Sequence, residues 1–248
     1  VSHTGNDNLL IPLTTYVFLT THINMSVEIL RENLMILGII FILVTIANRI
    51  KAWSKLALVE VMVVGYLTIT LYGIYAVLPP LMLLFTCMTF PTLRENEKNN
   101  IYDARIIETN VVIGIGICGL VAITGLKDEF FMIYALAYSM HLTLNTFVRF
   151  KYFLNLSEKN CVILGFLKGL IFIFLPSLLI QKNVFGTLHS PIRITVMIVM
   201  LFISVLMIKA EKKNVKNEEI SIKNGYMHTK IVFILTVFVY ILQYLKMI

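Results

Sequence analysis

The residues of this sequence that could do chemistry are ionisable and amide side chains inside long apolar runs. Glu108 and Asn110 stand near the start of one run, and His141 and Asn145 stand near the end of the next. A spacing of four residues puts His141 and Asn145 on one face of a helix. A short connection joins the two runs, so the four side chains are predicted to form a polar pocket at one depth. There His141 and Asn145 could orient an acceptor hydroxyl group.

Two further charges lie inside apolar runs. Lys168 follows about eight residues of its run, roughly 12 Å deep at ~1.5 Å per residue, and could serve as a counter-ion or an anion contact. Glu60 lies about one turn into another run. A structural interpretation stays open for all of these residues: acids can sit at the headgroup level, a buried histidine can be a packing residue, and a lysine can snorkel partway to the interface.

The elements that position these residues are apolar segments long enough to cross a membrane. The mean hydropathy of +0.85 and the hydrophobic content of 58% exclude an ordinary soluble domain. Lipid cannot satisfy backbone polar groups, so the fold class is predicted to be all-α, a polytopic transmembrane helical bundle of about nine spans. The predicted spans are 9–23, 33–48, 56–76, 77–91, 106–126, 130–148, 161–181, 191–208 and 230–247.

Basic residues alternate in step with these spans. Fifteen Lys and Arg residues fall on the side where even-numbered spans end, five fall on the other side, and Lys168 lies within a span. Because cytoplasmic loops are rich in Lys and Arg, the split predicts a multi-pass protein of the cell membrane with a cytoplasmic N-terminus. The same loops explain the net charge of +7 through attraction to anionic lipids, so membrane lipids and no nucleic acid are the expected partners.

Two stretches separate neighbouring apolar runs. Pro79 and Pro80 predict a tight turn between the third and fourth spans, because proline interrupts a continuous helix. Segment 209–229 mixes six basic residues, with Lys230 included, and three glutamates, a pattern that predicts a solvated linker.

Motifs for nucleotide, metal or hydrolase chemistry are missing from the sequence. It contains no phosphate loop, no HExxH, no GxSxG and no CxxC, and its three cysteines have no metal-ligand spacing, so no metal site is predicted. The glycines at positions 114, 116 and 119 are interpreted as small residues for helix packing.

The N-terminal segment Gly5-Asn6-Asp7-Asn8-Leu9-Leu10-Ile11-Pro12-Leu13 resembles a motif near the end of the membrane CTP-dependent lipid-alcohol kinases, which include dolichol, phytol and diacylglycerol kinases. Leu10 replaces the usual threonine of that motif. The resemblance implies that residues 1–23 are the tail of a kinase-like membrane domain whose catalytic core lies upstream. Residues 24–248 would then form a polytopic helical membrane domain.

A second resemblance covers 51–146 and points to phytyl-phosphate kinase-like membrane proteins. Their Arg-x-x-Gln-Val-x-x-Asn segment is similar to the stretch from Arg105 to Asn110, with Glu108 in place of glutamine. Their Ala-Asp-Thr segment is similar to the stretch from Leu144 to Thr146, with Asn145 in place of the acid.

The two resemblances imply a kinase-like phosphoryl transferase of isoprenoid or lipid-alcohol metabolism, or its degenerate relative. CTP and Mg²⁺ would be its cofactors, and a prenyl or other lipid alcohol its substrate. The implied catalytic residues are Glu108, His141 and Asn145. The implied substrate-binding residues are Asp7, Asn8, Asp103, Arg105, Asn110, Arg149 and Lys168. Of these two sets, Asp7, Asp103 and Glu108 would contact the metal or the acceptor. The basic residues Arg105, Arg149 and Lys168 would contact phosphates.

The alternative function is a membrane transporter or a non-catalytic membrane subunit. Transporters bind their substrates at interrupted helices near the bilayer midplane. Only Pro79-Pro80 and Pro176 interrupt the predicted spans.

Overall fold

The computed structural model of the chain describes residues 12, 15–16, 18–20, 22–23, 25–49, 62–63, 65–70, 73–89, 114, 116–117, 119, 127–152, 156–184, 190–212 and 220–244. All secondary structure in these ranges is helical, as the apolar runs predict. The α-helices are α1 Val27–Arg49, α2 Leu78–Thr89, α3 Lys127–Tyr152, α4 Glu158–Gly169, α5 Leu175–Val184, α6 Pro191–Lys212 and α7 Ile220–Tyr244. A 3₁₀-helix, Ile74–Val77, precedes α2, and a π-helix, Leu170–Phe174, joins α4 to α5.

Three helical stretches of the described chain are long and apolar enough to cross a membrane. They are Phe131–Val148, Glu158–Lys182 and Pro191–Ala210. Two shorter apolar stretches are Ile74–Leu83 and Lys230–Leu242. The structure therefore bears out a helical membrane protein with three such stretches, while the nine predicted spans remain a prediction.

Serine side chains cap the starts of three helices. Ser26 accepts a hydrogen bond from the backbone N–H of Ile29 at the start of α1, and Ser157 accepts one from Asn160 at the start of α4. Ser190 accepts one from the backbone N–H of Arg193, with Pro191 following as the first residue of α6. Each cap satisfies an amide that the first helical turn leaves without a partner, and proline at this position loses no hydrogen bond.

The two stretches predicted to separate apolar runs, Pro79-Pro80 and 209–229, differ in detail from their predictions. The chain turns at Gly73, whose φ of 87° favours glycine, and Pro79 and Pro80 lie in the first turn of α2. A helix start tolerates proline there because those amides have no intrahelical partner. The linker predicted over 209–229 is wrong at both ends, since α6 continues to Lys212 and α7 begins at Ile220; residues 213–219 lie outside the described residues. Extending an existing helix requires less ordering than nucleating one, which favours this continuation.

The chain divides into two compact units. Unit 1 comprises Val1–Val77 and Asn99–Phe130, and unit 2 comprises Leu78–Lys98 and Phe131–Ile248. In unit 1, Tyr66 and Ile69 from the helical stretch 65–70 are buried against Ile40 of α1. Met62 lies at the edge of this small core.

In unit 2, helix α6 packs against both α4 and α7, and α2 packs against the π-helix. The rings of Phe166 on α4 and Phe202 on α6 meet edge to face at a centroid distance of 5.7 Å. At one end of the unit, Glu158 forms ion pairs of 3.4 Å with both Lys151 and Lys209. The end of α3, the start of α4 and the end of α6 therefore lie together, as the alternation of basic loops predicts for these three helices.

A π-helix interrupts the long stretch from Glu158 to Lys182. The π-turn Leu170–Phe174 is followed within two residues by Pro176, which has no N–H to donate to the preceding turn. The hydroxyl of Ser177 donates to the backbone oxygen of Ile173 at 2.7 Å, inside the same region. A π-turn next to a proline changes the hydrogen-bond pattern locally while the helix continues.

Candidate functional site

Helix α3 is the central helix of the candidate site because protein surrounds it. Within Phe131–Val148, 89% of the residues are buried, compared with 28% for Glu158–Lys182 and 33% for Pro191–Ala210. The same stretch has a mean hydropathy of only 1.2, compared with 2.3 and 2.4 for the other two. The most polar of the three stretches is therefore shielded from lipid, which is where polar groups inside membrane proteins are placed.

Two glycines bring α4 into close contact with one face of α3. A Cβ atom added at Gly165 would lie 3.0 Å from the backbone oxygen of Thr143, and one added at Gly169 would lie 2.6 Å from that of Ser139. An added Cβ at Gly169 would also overlap the hydroxyl of Thr143. Gly165 and Gly169 form a GxxxG motif, whose lack of side chains lets two helix backbones approach. The contact fixes an antiparallel register in which Gly165 faces Thr143 and Gly169 faces Ser139.

The opposite face of α3 carries the stripe of Tyr134, Tyr138, His141 and Asn145. At 3.6 residues per turn these four positions fall within an arc of about 60°, roughly opposite the face that contacts α4. The first three are buried, and Asn145 is half-buried. The rings of Tyr134 and Tyr138 meet edge to face at a centroid distance of 4.9 Å. We call these four residues the α3 stripe.

His141 is the chemically distinctive member of the α3 stripe. It is 2% exposed, and its Nε2 atom has no hydrogen-bond partner within the described part of the chain. Ser139, two residues away, instead donates to the backbone oxygen of Ala135 in its own helix at 2.8 Å. Ser139 thus satisfies its hydroxyl within its own helix, whereas Nε2 of His141 finds no such acceptor or donor among the described residues. A buried polar atom without a partner costs on the order of 1–3 kcal/mol, so its presence points to a ligand or to function.

The predicted phosphate contact Lys168 lies at the same depth as His141. The register of α4 against α3 makes Lys168 level with Met140 and His141, about 15 Å along the helix from Glu158. Lys168 is half-buried, but α4 packs on the face of α3 that is turned away from the α3 stripe. The structure therefore places His141 and Asn145 together on one face and does not bring Lys168 onto that face.

The remaining predicted site residues lie wholly or partly outside the described residues. Arg149 belongs to the last turns of α3, and its side chain lies outside the described residues. The six others also lie outside them, including both proposed partners of His141 from the preceding run: Asp7, Asn8, Asp103, Arg105, Glu108 and Asn110. Within the described ranges no three His, Cys, Asp or Glu side chains come together as a metal site would require. The acidic residues proposed to contact Mg²⁺ are Asp7, Asp103 and Glu108, so the prediction for Mg²⁺ and CTP remains a prediction.

Unit 1 contains a second polar contact, between His22 and Tyr66. The Nδ1 atom of His22 lies 2.7 Å from the backbone oxygen of Phe18, and its Nε2 atom lies 2.6 Å from the hydroxyl of Tyr66. A carbonyl oxygen only accepts, so Nδ1 carries a proton, and in that tautomer Nε2 accepts from the Tyr66 hydroxyl. The ring of Phe18 stacks on His22 at a centroid distance of 4.2 Å. Unlike His141, His22 is therefore satisfied at both nitrogens by its own protein.

Sequence reasoning overlooked the GxxxG motif and the two tyrosines of the α3 stripe. The motif at Gly165 and Gly169 is legible in the sequence as two glycines four apart in an apolar run. The sequence instead suggested packing glycines at positions 114, 116 and 119. A Cβ added at Gly116 would meet nothing within 4 Å, so no close helix contact with another described residue is seen there. The tyrosines could have been found by extending the helical spacing of His141 and Asn145 back along the same run.

Comparison with protein-family models, with curated proteins and with solved structures finds no significant match for this chain.

As a chemical site, the α3 stripe offers an imidazole nitrogen that can accept a hydrogen bond, one amide, and phenol groups in a protein-lined environment. Such a set can bind and orient a hydroxyl group or a phosphate ester. The low dielectric of a buried site strengthens each hydrogen bond that a bound ligand would make there.

Proposed function

We propose that this protein binds the polar head of a lipid alcohol, or of its phosphate, at the α3 stripe inside the membrane. The single observation that carries the proposal is the buried Nε2 atom of His141, which has no partner among the described residues. A ligand hydroxyl that donated to this atom would remove the cost of leaving it unsatisfied. An isoprenoid or other lipid alcohol combines such a hydroxyl with a tail that belongs in the membrane.

In the kinase-like interpretation, His141 would accept the proton of the lipid hydroxyl as that oxygen attacks a phosphoryl group. Asn145, one turn further along α3, would hold the oxygen in position through its amide. CTP would supply the phosphoryl group, the bond from its γ-phosphorus to the bridging oxygen would break as the bond to the lipid oxygen forms, and CDP would leave; Mg²⁺ would neutralise the phosphate charge. A degenerate relative would retain the lipid site and lack the transfer.

The binding test compares volume-matched variants of the full chain in lipid nanodiscs. We expect His141→Leu to weaken the binding of tritiated geranylgeraniol and of its monophosphate by at least tenfold. The unfolding temperature should stay unchanged or rise, because the variant removes a buried polar atom that lacks a partner. Unchanged lipid affinity in His141→Leu would overturn the proposal, and so would a parallel loss of affinity and stability.

The matched control is Thr236→Val. The hydroxyl of Thr236 on α7 is also buried and has no hydrogen-bond partner within the described residues, but it lies outside the α3 stripe. This variant should bind both lipids as the parent chain does. Formation of a lipid phosphate from CTP, Mg²⁺ and the alcohol would then distinguish a transferase from a relative that only binds.

A transporter is the second candidate, favoured by the π-helix Leu170–Phe174 beside Pro176 in a membrane-crossing stretch. Interrupted helices of this kind frame binding sites in many transporters. Uptake of a labelled lipid phosphate into proteoliposomes, without its chemical conversion, would favour this function over transfer.

We also propose that the protein is multi-pass with a cytoplasmic N-terminus. The shared position of Lys151 and Lys209 around Glu158 supports the alternation of basic loops on which this orientation rests. Reporter fusions after Leu93 and after Leu126 should report opposite compartments, and the same compartment for both would overturn the orientation.

A further inference from the structure

Helix α1 of unit 1 exposes an apolar face along most of its length. Leu34 and Phe41 are 58% and 60% exposed, and Leu30 and Ile42 are exposed as well. The first turns carry charge instead, with Glu28, Arg31 and Glu32. An exposed apolar face of this size in a membrane protein must be covered by hydrocarbon or by another protein surface.

A groove of about 320 Å³ runs along this face. It is lined by Leu34, Leu37, Gly38, Phe41 and Met62, all of them apolar or without a side chain. Gly38 forms its floor, because a Cβ added there would meet nothing within 4 Å. The volume lies at the lower end of the range for small-molecule sites. A groove of this size can hold one extended hydrocarbon chain but not a helix.

Arg31 stands at one end of the groove. Arg31, Leu34 and Gly38 follow each other at intervals of three and four residues, so they lie on one face of α1, with Arg31 roughly 10 Å from Gly38 along the axis. Arg31 is exposed and forms no ion pair with another described residue. The planar guanidinium group binds phosphate through two parallel hydrogen bonds.

We infer that unit 1 binds an anionic phospholipid, with one acyl chain in the groove over Gly38 and the phosphate on Arg31. The combination of a narrow apolar groove and a cation at its end matches the two parts of such a lipid. This site is separate from the α3 stripe, uses none of its residues, and does not depend on the function proposed for it.

The test uses the purified full chain with phosphatidylglycerol that carries a photoreactive diazirine in its acyl chain. After irradiation, mass spectrometry should locate the label on the peptide that contains residues 34–41. We expect Gly38→Leu to reduce this labelling by at least fivefold, because a leucine side chain would fill the groove. The open space around Gly38 means that the variant should fold normally.

The matched control is Ile39→Leu, which places the same side chain type one residue along, about 100° around the helix and outside the groove-lining set. It should label as the parent chain does. Arg31→Gln should lower the preference for phosphatidylglycerol over phosphatidylcholine at least threefold without moving the labelled peptide.

Three outcomes would overturn the inference. Equal labelling of Gly38→Leu and the parent chain would mean that lipid covers α1 without a site. An unchanged headgroup preference in Arg31→Gln would remove the phosphate contact. A loss of dimer mass in Gly38→Leu, without a change in labelling, would assign the groove to a second copy of the chain.

Discussion

Helix α3, which belongs to unit 2 from Phe131 onward, and helix α1 of unit 1 have similar lengths, 26 and 23 residues, but opposite surroundings. Residues 131–144 of α3 are all buried, whereas α1 buries only Asn33 and Ile40 among its described side chains. Each helix relies on glycine in a different way. Gly169 lets α4 approach α3, while Gly38 opens a groove on α1. A glycine in a membrane helix can therefore lie either at a close helix–helix contact or beside an open groove. Which of the two occurs depends on the residues that pack around it in the folded protein.

The largest expected effect comes from adding one methyl group at each of these glycines. Gly169→Ala should destabilise the protein by about 1–3 kcal/mol, because the new Cβ would collide with backbone as well as with Thr143. Gly38→Ala should be neutral or stabilising by about 0.5–1 kcal/mol, because alanine costs less entropy in a helix and meets open space. Unfolding of both variants in one detergent measures the difference. Equal effects would remove the contrast between the two helices.

An intermediate effect is expected at the polar contact of unit 1. Tyr66→Phe removes the hydrogen bond to Nε2 of His22 and should lower the free energy of unfolding by about 0.5–1.5 kcal/mol. The control is Tyr75→Phe, since Tyr75 is 48% exposed and makes no hydrogen bond to another described residue. If the two variants unfold at the same temperature, the His22–Tyr66 contact contributes nothing and unit 1 is held by its apolar core alone.

The smallest effect is expected at the ion pairs that join three helix ends of unit 2. Glu158→Gln leaves Lys151 and Lys209 facing each other and should lower the unfolding temperature slightly at low salt. Solvent-exposed pairs contribute little and are screened by salt, so the difference should vanish in about 1 M salt. Lys159→Gln, at the neighbouring exposed position, should show no such salt dependence. If the unfolding temperature of Glu158→Gln stayed below that of the parent chain in high salt, Glu158 would have a packing role.

The sequence predicts much of the helical architecture. The predicted spans 130–148, 161–181 and 191–208 each lie within helices that the structure contains, and the third is set by the local chemistry of Ser190 and Pro191. Helices follow from the need to satisfy backbone groups in lipid, which any sufficiently long apolar run imposes. The spacing of His141 and Asn145 likewise predicts their shared face, because one turn of a helix determines it.

The sequence signals only in part which helix is central. Mean hydropathy ranks Phe131–Val148 below the other two candidate crossing stretches, which favours a position shielded by protein, but packing decides how completely protein encloses it. The side of α3 that meets α4 depends on where Gly165 and Gly169 fall on a different helix, which no local pattern on α3 records. The π-turn beside Pro176 and the distance from His22 to Tyr66 are further results of tertiary contact.

By itself, then, the sequence determined that this chain is helical, apolar and suited to a membrane, because those properties follow from short-range hydrogen bonding and composition. Only the tertiary structure decided that His141 is buried with an Nε2 atom that has no partner among the described residues. In His22, by contrast, both ring nitrogens have hydrogen-bond partners. The two histidines both lie in apolar stretches of the sequence. Their difference arises from residues far away along the chain, since Tyr66 reaches His22 across 44 positions.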